Sequence, residues 1–477
     1  MQIKALLSHD CYDKSRIFVQ KNTTQTMKKA ILSATLTLLA VAQPTYAQQF
    51  EQHFCDSTLR LDYTFAGNCV GQNISLDQKL MHKGWYGRRT DLNKLPLKGN
   101  GQILMLNTAG TDTIYCHSFS TLFQEWVGTE EATRISRSFE NSFLLPMPRE
   151  KVQICITLYD THQELKARLW HTIDPSDILI KKPAPLPDTK WSFLHKNRDE
   201  RSAINVVFVP EGYTAEEMPV FVRDCQESVD AILEHEPFKS KKDRFNFIYV
   251  DAPSKQSGVS IPHDNDWRDT AVGSHFDTFY SARYLTTLNV NALYDLVWGI
   301  PCSSIIILAN TDNYGGGGIY NSYTLTSAHN KEARPVVVHE FGHSFAGLAD
   351  EYYYDDQYEP MYPSGVEPWE QNITTLVDFD TKWKDMLPSD TPIPTPADGN
   401  DIYTNDSIKR EQRELVLSAE RENCGMKSKV GVYEGAGYQS KGCYRPAQEC
   451  RMKVNSAPGF CPVCQRAISR LIDFLAP

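Results

Sequence analysis

The stretch Val336–Tyr352 reads VVVHEFGHSFAGLADEY, and its spacing decides how the second half of the chain folds. Residues i and i+4 of an α-helix lie on one face, a turn apart. His339 and His343 therefore present two imidazoles to one point, with Glu340 one step round the helix. This is the H-E-x-x-H arrangement, in which two histidines hold zinc and the glutamate acts as general base toward water. Zinc suits such a pair because imidazole nitrogen binds it well and an open coordination position is left for chemistry. Gly347 is expected to end the helix, since glycine accepts the left-handed turn that swings the chain back. A helix that is merely buried needs none of this. The pattern arises by chance in roughly 1% of chains of this length on average residue usage.

Outward from this helix, strands and helices alternate. AINVVFVPEGY reads as a buried strand, MPVFVRDCQESVDAILEHEPF has helical spacing of apolar residues, and RFNFIYVDAP and CSSIIILAN read as further strands. This order predicts an α/β domain with a twisted mixed sheet over residues 192–477. Residues 385–422 are polar and proline-containing, and read as a long loop or surface insert. CPVCQRAISRLIDFLAP closes the chain as an amphipathic helix. Upstream, residues 181–191 form a proline-rich linker. Before it, residues 48–180 carry short β-rich runs, among them LRLDYTFAG, GQILMLNTAG, TDTIYCHSFS and KVQICITLYDT. Their regular spacing predicts an all-β sandwich.

The first 47 residues read as export signal rather than fold. MKKAILSATLTLLAVAQPTYA, Met27–Ala47, has two lysines, an apolar run and small residues at its end. That is a secretory signal peptide with cleavage expected after Ala47, and residues 1–26 read as an upstream over-extension. The protein is therefore expected to be exported, either periplasmic or extracellular. The apolar run is too short for a comfortable membrane span, and no other stretch is apolar enough for one. A formal net charge of −10 argues against a nucleic-acid partner or an anionic membrane surface, because both select basic patches. A monomer is expected. Twelve cysteines are present, one of them Cys11 ahead of the signal. Cys424, Cys443, Cys450, Cys461 and Cys464 cluster near the carboxyl end. Export favours disulfides among them over a four-thiolate zinc knot.

The third zinc ligand is the next question. Metzincin metallopeptidases run H-E-x-x-H-x-x-G-x-x-H, sometimes with Asp last. Here glycine and acid both come one residue later, so the Gly-to-ligand spacing is kept. That favours Asp350 as third ligand, with Glu351 as the alternative ligand or as a group orienting a ligand histidine. Metzincins also set a methionine in a tight turn beneath the zinc. Met426 and Met452 are both candidates, and Met452 is preferred because a Gly- and Pro-containing turn and the last helix follow it. Its Cys-x-Met pattern resembles metzincins with a disulfide beside that turn. Gly315, Gly316, Gly317 and Gly318 lack the Lys-Ser/Thr ending of a phosphate loop. They read as an exposed edge strand that a substrate backbone can approach and extend, or as an ordinary turn. Tyr438 and Tyr444 are candidates for stabilising an oxyanion, against the plainer expectation that both are packed. The segment Ser260–Leu285, with His263, Asp264, Asp266, Asp269, His275 and Asp277, reads as a structured solvated loop before a second metal site or a cleft.

Several patches together resemble the IgA-peptidase-type zinc metallopeptidases of gut bacteria: VVVHEFGHSFAGLADEYY, GSHFDTFYSARYLTT, GGGGIYNSY, EGAGYQSKGCYRP and CRMKVNSAPGFCPVC. The β-rich first segment resembles that family's amino-terminal domain. The resemblance implies an exported, metzincin-like zinc endopeptidase acting on protein or peptide, with one catalytic zinc, His339 and His343 as ligands, Glu340 as base and Asp350 completing the set. Host glycoproteins or immunoglobulin-like proteins are conceivable substrates, but immunoglobulin A itself is not carried over. Two rival expectations stand beside it. One is a non-catalytic protein that binds host protein or glycan, with a structural zinc. The other is a zinc amidase acting on non-protein material.

Overall fold

Polar edges and apolar centres organise all three main sheets. The computed structural model describes residues 50–184, 190–354, 360–396 and 429–477. The signal segment, Cys424, Met426 and most of the 385–422 segment lie outside the described residues. A one-turn helix α1 (Phe50–His53) leads into β1 (Phe54–Gly67). Then follow β2 (Gln72–Lys83), β3 (Gly101–Leu106), β4 (Thr113–Phe119), a short helix α2 (Leu122–Trp126), β5 (Arg137–Pro148), β6 (Val152–Tyr159) and β7 (Leu165–Ile173). They form two antiparallel sheets, ordered β2-β1-β5 and β4-β3-β6-β7. Along β3 buried and half-buried positions alternate strictly, as a strand with one covered face requires. Leu59, Leu61 and Phe65 of β1 share one core with Ile103 and Met105 of β3 and Ile154 and Ile156 of β6.

The second half begins with β8 (Lys190–Lys196), so the proline-rich segment gives way to a strand at its last two residues. β9 (Ile204–Glu211), α3 (Met218–Leu233), β10 (Phe245–Asp251), α4 (Val290–Leu296), β11 (Ser304–Ala309), β12 (Gly316–Ile319), β13 (Tyr323–Ser327) and α5 (Ala333–Ala346) follow. The chain ends with a hairpin, β14 (Tyr433–Ala436) and β15 (Gln439–Arg445), and the helix α6 (Pro462–Leu475). Six strands make one mixed sheet ordered β12-β13-β11-β9-β10-β8. Its four inner strands are parallel, and β12 and β8 pair antiparallel at the two edges. All eight residues of β9 are buried, the signature of a central strand covered on both faces. Helix α5 packs on β12 and β13 and against α3 and α6. It is therefore apolar around most of its girth, with Val336, Val337, Val338, Phe341 and Phe345 buried.

The two halves share buried contacts. Val207, Ile305 and Leu325 of the large sheet belong to the same apolar core as the first two sheets. Arg60 on β1 is fully buried; its Nε donates to Asp62 Oδ1 at 2.7 Å and its Nη1 to Asp295 Oδ1 on α4 at 2.6 Å. Asp62 also accepts from Gln78 Nε2 and Ser142 Oγ, each at 2.7 Å. Removing one partner of a buried pair strands the other's charge at a cost of about 3 kcal/mol or more. Asp62→Ala is therefore expected to lower unfolding free energy by about 3 kcal/mol, read from a urea denaturation midpoint. A shift below about 0.5 kcal/mol would mean that Asp295 alone neutralises Arg60.

Candidate metal centre

Helix α5 places His339, Glu340 and His343 on its sheet-facing side, and Gly347 terminates it with φ +57°. That left-handed turn sends the chain back so that Asp350 meets the histidines. Asp350 Oδ1 lies 3.0 Å from His339 Nε2 and 3.2 Å from His343 Nε2, and the two Nε2 atoms are 3.0 Å apart. Nitrogen and oxygen ligands about 2.0–2.1 Å from a tetrahedral ion stand about 3.3 Å from one another. The triangle is thus of the size that one such ion spans.

Proton placement points the same way. His339 Nδ1 is 2.9 Å from the Arg451 carbonyl, and His343 Nδ1 is 2.6 Å from the Leu348 carbonyl. A carbonyl only accepts, so each Nδ1 carries the hydrogen and Nε2 is the ring atom turned toward Asp350. Asp350 is 4% exposed and its Oδ1 makes no well-formed hydrogen bond. Two imidazole nitrogens and a carboxylate oxygen facing one another at 3.0–3.2 Å are a donor set that a cation satisfies. Burial disfavours the carboxylate form of Asp350, but the neighbouring His343 and His339 outweigh it and hold its pKa well below the usual range. Burial likewise opposes charging His343, yet Asp350 beside it raises the imidazole pKa. The pocket is built for opposite charges in contact.

Three further residues shape this centre. Met452 is fully buried, and a side chain at Gly342 of α5 would meet its sulfur at 2.7 Å, so the methionine lies directly against the ligand helix. The backbone N–H of Glu351 donates to the Met452 carbonyl at 2.8 Å. Tyr438 occupies the two-residue turn of the β14–β15 hairpin, where Gly437 has φ +57° and Tyr438 φ +66°. Positive φ at both positions is the turn that matches strand twist. It aims the Tyr438 hydroxyl at Asp350 Oδ2, to which it donates. Tyr438 thus touches the oxygen that the histidines leave free, which makes it a positioning group for Asp350. Tyr444 sits on β15 with its backbone paired to Thr374 and Glu434.

The glycine stretch explains itself by its neighbours. A Cβ at Gly316 would stand 2.9 Å from Glu340 Oε1, and one at Gly318 would overlap the Glu340 carbonyl and approach His343 Cβ to 2.8 Å. The edge strand β12 therefore lies almost in contact with the face of α5 that carries Glu340 and His343. The expectation of an exposed edge strand needs correction: no residue of β12 is exposed, Tyr284 bridges Gly316 on its outer side, and a Cβ at Gly315 would be 2.8 Å from the Arg283 carbonyl. Gly318→Ala must push β12 off α5 against backbone, and such overpacking costs about 1–3 kcal/mol. We expect a melting temperature several degrees lower and at least tenfold weaker activity from the displaced Glu340 and His343. An unchanged melting curve would show that the strand yields freely.

Glu125 is a site residue that no sequence signal announced. It lies on α2, in the first half of the chain, and accepts from the Tyr284 hydroxyl. Burial pushes its carboxyl up to about 7, and the charges of His343, Glu340 and Asp350 are near enough to act on it. Its run, LFQEW, reads only as apolar with one acid. Other expectations meet a different outcome. The Glu351 side chain faces away from the histidines, with Oε1 3.0 Å from Cys464 Sγ and 3.0 Å from Asn372 Nδ2. In the 260–285 loop, Asp266 pairs with Arg268, Asp269 with Lys255, and His263 with Asp277. The acids there are engaged in ion pairs that hold the loop. The preference for disulfides also needs correction: all ten described cysteines are free, Cys450, Cys461 and Cys464 among them although they lie close together.

Among the described residues no helix is long and apolar enough to cross a membrane. No curated protein matches the chain. The family model described as IgA Peptidase M64 matches residues 193–472, and the model described as Peptidase M64 N-terminus matches residues 49–170. The first of these spans the large mixed sheet, the two histidines, Asp350 and Met452, and covers more than half of the chain. The chain is a two-domain metallopeptidase that belongs to the IgA peptidase M64 family.

Proposed function

We propose that the protein is an exported zinc metalloendopeptidase with a metzincin-like catalytic domain, cleaving peptide bonds in proteins. His339, His343 and Asp350 hold the ion. The observation that carries this is the convergence of three ligand atoms, two on half-buried histidines and one on buried Asp350, within 3.0–3.2 Å of one another, with Glu340 beside them. Zinc bound there supplies Lewis-acid polarisation of water and of the scissile carbonyl. Glu340 accepts the proton from the attacking water and returns it to the leaving amine. Burial raises the Glu340 pKa, partly offset by His339 and His343, which strengthens it as a base. Tyr438 keeps Asp350 oriented, and the glycines of β12 let that strand back Glu340 and His343 directly. Host glycoproteins and immunoglobulin-like proteins are the substrates to screen first.

The test is cleavage of unfolded casein by the purified protein, with and without a zinc chelator. We expect cleavage that the chelator abolishes and added zinc restores, and none of a protein-free glycan. Cleavage that persists in chelator would overturn the metal assignment. Zinc-dependent release from glycan alone would favour an amidase.

A further inference from the structure

On the far side of Asp350 a second cluster is buried. Glu351, Cys450, Cys461 and Cys464 bring one carboxylate oxygen and three sulfurs within 4.8 Å of one another. None of the four residues is more than 2% exposed. We propose that these side chains form a second, structural site for a thiophilic divalent cation of the zinc class, separate from the centre at His339, His343 and Asp350.

The geometry fits a closed tetrahedral site. Cys450 Sγ and Cys464 Sγ are 3.7 Å apart. Two sulfurs each about 2.3 Å from a tetrahedral ion stand about 3.8 Å apart, whereas a disulfide draws them to about 2.05 Å. Cys464 Sγ lies 3.0 Å from Glu351 Oε1, and the backbone N–H of Cys461 points at Cys450 Sγ at 3.3 Å. Cys461 caps the amino end of α6 and Cys464 sits one turn in, so the C-x-x-C spacing turns both sulfurs to one point. The positive end of that helix favours thiolates there. Glu351 supplies the independent observation: it is fully buried and its Oε2 has no hydrogen-bond partner. Asn372 fixes the carboxylate through Oε1 and is itself held by both backbone groups of Ala349. A disulfide would use two of the sulfurs and leave a lone thiol against a buried, half-satisfied carboxylate. A cation takes all four groups, as a structural zinc site with four protein ligands does.

The position gives the site a purpose. Glu351 follows Asp350 directly. Cys450 precedes Arg451, whose carbonyl orients His339, and Met452, which lies against Gly342. One ion would tie α6 to both segments that shape the catalytic centre. Removing His339 and His343 isolates this site from the other centre. His339→Ala/His343→Ala protein is purified with zinc supplied and its metal counted, with X-ray absorption to identify the ligands and mass spectrometry to count free thiols. We expect about two zinc ions per wild-type chain and about one in the double variant, the remaining ion bound by sulfur at about 2.3 Å. In Cys461→Ser/Cys464→Ser protein we expect that sulfur-bound ion to be lost. A folded His339→Ala/His343→Ala protein without zinc would overturn the proposal, whether its thiols prove free or joined in a disulfide. So would a residual ion with only nitrogen and oxygen ligands.

Discussion

Replacing Glu340 by glutamine is expected to reduce peptide cleavage by about 10²–10⁴-fold, the range for loss of a positioned general base. Metal content and melting temperature should stay at wild-type values. Glutamine keeps the shape of the side chain and its contact with Gly316, where a Cβ would stand 2.9 Å from Oε1. What it loses is the ability to take a proton. The three atoms that converge on the ion belong to His339, His343 and Asp350, so the set is complete without Glu340. Substrate binding should survive as well, so the loss should fall on kcat with KM little changed. Measuring zinc, kcat and KM on the same preparation separates the possibilities. A variant that loses zinc would make Glu340 a ligand. One that keeps zinc and full turnover would remove it from the mechanism.

The helix and its two histidines were legible because their geometry is local. A spacing of four residues fixes a shared face whatever the rest of the chain does. Gly347 and Asp350 were legible for the same reason, since a left-handed turn and three more residues determine where the acid arrives. The central strands were legible from Val- and Ile-rich runs such as INVVFVPE. The strands missed were β2, β7, β8, β14 and β15, each an outer strand of its sheet. Outer strands bury one face at most, so QNISLDQKLMHK and KWSFLHK carry too little apolar pattern to announce themselves. The glycines of β12 read as room for a substrate backbone, but that room is taken by α5, a helix that begins beyond the next strand, and by Tyr284. Tyr438, Glu125 and the meeting of Glu351 with three cysteines are long-range events. Tyr438 reaches Asp350 across 88 residues, and no local rule assigns it that partner.

Asp350→Ala is expected to weaken zinc binding at the catalytic centre by more than about 100-fold, beyond the effect of changing a group that only orients a ligand. Turnover at limiting zinc should vanish with it. The substitution removes the charge that meets both Nε2 atoms and leaves the Tyr438 hydroxyl without its acceptor. The two histidines remain, and two ligands do not hold zinc against a competing chelator as three do. Glu351 cannot replace the lost carboxylate by a change of rotamer. It is one residue further on, fully buried, and committed to Asn372 and Cys464 on the other side of the chain. Tyr438→Phe supplies the graded comparison: it keeps all three ligands and removes only the hydroxyl on Oδ2, so affinity should fall about 10-fold or somewhat more. Titration with a chromophoric chelator ranks the three proteins. The expected order is wild type, then Tyr438→Phe, then Asp350→Ala. Wild-type affinity in Asp350→Ala would make the third ligand some other group, and Glu351→Gln would then be the variant to lose the metal.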